Sequence, residues 1–129
     1  MATVEEFKSC VRATFPVQKE VDGAMFCVID TPGGRSQVVS VQVLGGPKTG
    51  YWASIESPIG SVHQIDIVKL LQVSRGSLAG GIVADGAALI LRDTFPIANL
   101  DLNELVQPFI AITAVADLLE KTFTGTDSL

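Results

Sequence analysis

The chain has 129 residues, with 9 Lys and Arg against 14 Asp and Glu, for a formal net charge of −5 and a pI near 4.6. That length fits one domain over residues 1–129 with its own core, and 47% hydrophobic residues with 18% charged argue against disorder. Two cysteines make no disulfide scaffold, one histidine leaves few ways to build a metal site, and the acidic balance disfavours a nucleic-acid surface.

Thr3 followed by Glu6 reads as a capping box, and Val4, Phe7, Val11 and Phe15 recur at helical spacing until Pro16 stops the helix. Two strands follow, Val17 to Val21 and Ala24 to Ile29, joined by Asp22-Gly23 as a tight hairpin turn. The turn Thr31-Pro32-Gly33-Gly34 feeds a longer strand with Val39, Val41 and Val43 on one face, and Gly45-Gly46-Pro47 breaks it. The next strand, Tyr51 to Ser57, sets Tyr51, Ala53 and Ile55 against Trp52, Ser54 and Glu56. Pro58 and Gly60 then close the sheet-forming part.

Ser61 with Gln64 offers a second capping box, which predicts a helix from about Val62 to Val73. Strands Gly80 to Ala84 and Ala87 to Arg92 come next, joined by Asp85-Gly86 as a type I′ turn, and Pro96 ends the pairing. The last helix begins near Asp101 and runs to about Phe123. Its Leu102, Leu105, Phe109, Ile112, Ala116, Leu119 and Phe123 alternate steps of three and four along one face. Pro108 inside that stripe predicts a kink or a separate first turn. Residues 124–129 are expected to fray.

The order is thus helix, three or four strands, helix, two strands, helix. Grouped this way, it predicts an α+β fold with an antiparallel sheet covered by helices. Together with the C-terminal text, it also carries a resemblance. Gly80-Gly81-Ile82-Val83-Ala84-Asp85-Gly86-Ala87-Ala88-Leu89-Ile90-Leu91-Arg92 is followed by Pro96-Ile97, by Leu100-Asp101 and by Glu104-Leu105, with Ala116-Asp117 late in the last helix. This resembles the YbjN-like group, which shares the fold of the bacterial type III secretion chaperones of the CesT/Tir type. The likeness at residue level runs from about Gly80 to Leu119, and its motifs are packing motifs. The resemblance implies a small, acidic, cytoplasmic homodimer that presents apolar surface to a protein partner.

Candidate chemistry is sparse. Gly45-Gly46-Pro47-Lys48-Thr49 looks like the end of a phosphate loop, but Pro47 stands where Gly is required and a strand follows, so an interstrand turn is the better reading. Asp101-Leu102-Asn103-Glu104 has the first spacing of a calcium loop, yet Leu105 occupies a ligand position and helix capping accounts for it. Cys10 and Cys27 read as packing residues. His63, with Asp66 one turn away and Ser57 or Ser61 nearby, is the one group that a hydrolase reading can use. No cofactor or metal is expected.

No basic and apolar leader opens the chain, and no apolar run reaches the roughly 20 residues that span a bilayer, so a cytoplasmic protein without membrane insertion is expected. Two function classes stand: a non-catalytic module that binds another, unidentified polypeptide, and a small hydrolase or ligand-handling enzyme built on His63. The second helix favours the first. Val62, Ile65, Ile67, Val68, Leu70, Leu71 and Val73 spread almost around it, so one face remains apolar after the other is buried, which predicts a homodimer. Ile65, Val68, Leu71 and Trp52 are the candidate dimer or partner surface.

Overall fold

The structure, a computed structural model, describes residues 3–76, 80–98 and 100–125, with residue 102 described by its backbone alone. Helix α1 spans Val4–Thr14, and strands β1 (Val17–Val21), β2 (Ala24–Thr31), β3 (Arg35–Gly46) and β4 (Gly50–Ser61) follow. Helix α2 (Ile67–Ser74), strands β5 (Gly81–Asp85) and β6 (Ala88–Pro96), a 3₁₀ turn (Leu102–Leu105) and helix α3 (Val106–Thr124) complete the chain. The six strands form one antiparallel sheet in the order β1-β2-β3-β4-β6-β5. The expected α+β class is the one found.

Strand alternation decides where the core sits. Met25 and Cys27 pair with Val41 and Val39, Val41 pairs with Ile55, and all five are fully buried. Phe7 and Val11 of α1 and Phe109, Ile112, Ala116 and Leu119 of α3 close over this face, with Phe15 stacked on Phe109 at 4.0 Å between ring centroids. Of the stripe read from the last helix, Leu105, Phe109, Ile112, Ala116 and Leu119 are buried and Phe123 is half-buried, while the side chain of residue 102 lies outside those described. Thr3 caps α1, accepting from the Glu6 N–H at 3.1 Å, and Gly125 ends α3 in the left-handed conformation, its N–H donating to the Lys121 carbonyl.

Three local expectations need correction. Strand β4 does not close at Pro58 but runs to Ser61, through a register shift between Pro58 and Gly60. Gln37 Nε2 donates to the Pro58 carbonyl at 2.7 Å, so a side chain supplies a bond at the irregularity, the setting in which a strand admits proline.

The second helix starts at Ile67, not Val62: Ser61 opens a turn, and Asp66 is the cap, accepting from the Lys69 N–H at 3.2 Å. The β5–β6 turn is centred one residue later than read. Asp85 pairs with Ala88, leaving Gly86-Ala87 between the strands, and only Gly86 has positive φ, the pattern of a type II′ turn. The type I′ pattern, positive φ at both central residues, occurs at Asp22 (51°) and Gly23 (83°).

Helix α3 runs to Thr124, and of the tail expected to fray, residues 126–129 lie outside the described residues. Pro108 resolves as a separate first turn. The 3₁₀ turn precedes α3, and Pro108 falls on the third residue of α3, where no intrahelical N–H bond is forfeited.

Candidate functional site

Helix α2 is short and buries one side chain completely, Leu70. Ile67, Val68, Leu71 and Val73 remain exposed, Val68 at 64% and Leu71 at 50%. Beside α2 lies β5, an edge strand bonded to β6 alone. The two sheet edges differ. Strand β1 carries Lys19 and Glu20 and a register shift after Val17, devices that discourage pairing with another chain. Strand β5 reads Gly81-Ile82-Val83-Ala84 before its first charge at Asp85.

Of the four surface candidates, Val68 and Leu71 are exposed. Ile65 is not: it is 5% exposed and packs beside Gly60, where an added Cβ would lie 2.5 Å from Ile65 Cδ1. Its position in the turn ahead of α2 points it into the core. Trp52 is 38% exposed on the sheet face opposite the core, its indole N–H donating to the Thr49 carbonyl at 3.3 Å.

The hydrolase constellation does not assemble. His63 is exposed, and it is the main-chain N–H of His63, not the imidazole, that meets Ser61 Oγ, at 3.0 Å. Ser57 is fully buried, donating to the Val38 carbonyl at 2.6 Å and accepting from Gln37 Nε2 at 2.8 Å. Asp66 is occupied as a helix cap. Burial pushes the Cys27 thiol up, away from the thiolate a nucleophile needs, and Cys10 Sγ lies 3.6 Å from Thr14 Oγ1. Among the described residues no group of three or more His, Cys, Asp or Glu side chains could hold a metal. Asp101 accepts from the Asn103 N–H at 3.0 Å, as a cap does.

Sequence reasoning missed the main buried charge cluster. Arg35, at the start of β3, donates Nε to Asp117 at 3.0 Å and Nη2 to Glu120 at 3.1 Å. Glu120 is fully buried, and the cluster fastens α3 to the sheet. The i, i+3 carboxylates on the apolar side of the last helix were the available signal. The second face of the sheet was missed as well, although Phe26 and Val28 alternate with Met25 and Cys27, a sign that both faces are apolar there.

No family model matches the chain, and no curated protein matches it. A fold match exists among solved structures. One chain of the HopA1-SchA chaperone-effector complex is similar to this chain with a TM-score of 0.58 and 9% identity, over 93% of this chain and 91% of that one. The likeness is one of fold, an α+β architecture shared over nearly the whole of both chains. No helix among the described residues is long and apolar enough to cross a membrane.

Proposed function

We propose that the protein is a non-catalytic, protein-binding module that acts as a homodimer joined through α2 and the neighbouring β5 edge. The carrying observation is α2 itself, which buries Leu70 and leaves four large apolar side chains in solvent. Contiguous apolar surface of this kind marks an interaction site. A two-fold axis would set α2 against its own copy and allow the uncharged β5 edges to pair, in the self-complementary manner of a closed dimer. A fold shared with a chain of a chaperone-effector complex supports a polypeptide as the further partner. YbjN-like membership, a bacterial source and a place in the cytoplasm extend the same proposal. Amide hydrogen exchange at rising protein concentration tests it. Residues 67–74 and 81–85 should gain protection as the protein associates, and unchanged exchange in both segments would contradict this interface.

A further inference from the structure

The face of the sheet turned away from α1 and α3 reads, in register, as an apolar row, a polar centre and a second apolar row. Leu44, Trp52 and Pro96 stand side by side across β3, β4 and β6. Six residues further along β4, at Pro58, the second row joins Val38 of β3 and Ile90 of β6, with Val28 of β2 beyond Val38. The span is about 20 Å at ~3.3 Å per residue. No helix among the described residues packs on this face. Two depressions on it, of about 290 and 450 Å³, are lined by strand residues alone.

The centre holds a cation and an anion of different status. Glu56 and Arg92 are register partners across β4 and β6. Glu56 Oε2, however, accepts from Gln42 Nε2 at 2.7 Å and from Ser54 Oγ at 3.2 Å, which draws the carboxylate toward β3. Among the described residues the Arg92 side chain makes no hydrogen bond or ion pair, although it is half-buried between apolar rows. A planar, five-donor guanidinium in that position is matched best by a carboxylate from outside the chain.

The backbone decides the form of the occupant. Strands β3, β4 and β6 are interior to the sheet, and their ladders use their main-chain groups, so an extended segment laid over this face would bury unpaired N–H and C=O groups. A helix satisfies its own. We infer that this face seats an amphipathic helix of a partner protein, lying along β4, with apolar residues about 14 positions apart, which puts them on one helix face, and an Asp or Glu between them that pairs with Arg92. The spacing follows from the span and the ~1.5 Å rise of a helix. The inference rests on the protein-binding reading but not on the dimer, whose surface is α2.

Selection of a phage library of random 20-residue peptides against the wild-type protein tests it. Enriched sequences, made as soluble peptides, are titrated against the emission of Trp52, the single tryptophan. The expected peptides share an apolar–acidic–apolar pattern, shift Trp52 emission, and bind at least tenfold more weakly to Arg92→Gln and to Val28→Asp. Val28 is 40% exposed, so that variant should fold, and circular dichroism verifies it. In Arg92→Gln, replacing the peptide's central acid by its amide should cost nothing further. Weakening of less than tenfold in Arg92→Gln overturns the site. Peptides that ignore both changes but lose binding in Val68→Glu overturn this site while sparing the protein-binding reading. Failure to enrich any peptide counts against both.

Discussion

Helices α3 and α2 are both rich in apolar residues, yet the fold buries a face of one and leaves most of the other in solvent. Helix α3 spaces its apolar residues by three and four over 19 residues, so a single stripe, Phe109, Ile112, Ala116 and Leu119, meets the sheet. Arg35 then holds its C-terminal half through Asp117 and Glu120. Helix α2 has eight residues, and its apolar positions are nearly consecutive. Burying Leu70 turns Val68 and Leu71 outward whatever the helix does. The contrast teaches that placement, not apolar content, decides which helix belongs to the core. An apolar residue in excess of what one face can bury is available to another molecule.

Breaking the α3 side of the contrast should have the largest effect. Arg35→Leu leaves two carboxylates, Asp117 and the fully buried Glu120, without their shared guanidinium, and should cost about 4 kcal/mol of stability in urea denaturation. An unchanged midpoint would mean that α3 is held by its apolar stripe alone.

A smaller effect is expected at the turn that positions the β5 edge beside α2. Gly86 sits at φ 59°, a left-handed conformation that a β-branched residue resists, so Gly86→Val should lower stability by about 1–2 kcal/mol. Loss of nothing at this position would show that the hairpin tolerates another turn. On the α2 side, Val68→Glu should change the stability of the isolated chain by no more than about 0.5 kcal/mol, since the side chain is 64% exposed. A loss comparable to that of Arg35→Leu would place Val68 in the core and erase the contrast.

Much of this was legible beforehand, for physical reasons that can be named. The Thr3 cap, the period of the last helix and the Asp22-Gly23 turn are local signals, and the structure follows them. Where the reading failed, a non-local or competing partner intervened. Pro58 stays in β4 because the register shifts beside it, and Gln37 of β3 bonds its carbonyl there, which no local rule reveals. Asp66 won the helix start over Ser61, and that shift turned Ile65 from a surface candidate into a core residue. Arg35 and its two carboxylates lie more than 80 positions apart in sequence, so their meeting is a product of the fold.

The claim that α2 is an interface is tested most directly by light scattering at micromolar concentration on the wild-type chain and on Val68→Glu. The wild type should show twice the 13.6 kDa mass of one chain, and the variant a mass near 13.6 kDa with an unchanged circular dichroism spectrum. A wild-type mass near 13.6 kDa, or a dimer indifferent to Val68→Glu, would contradict it.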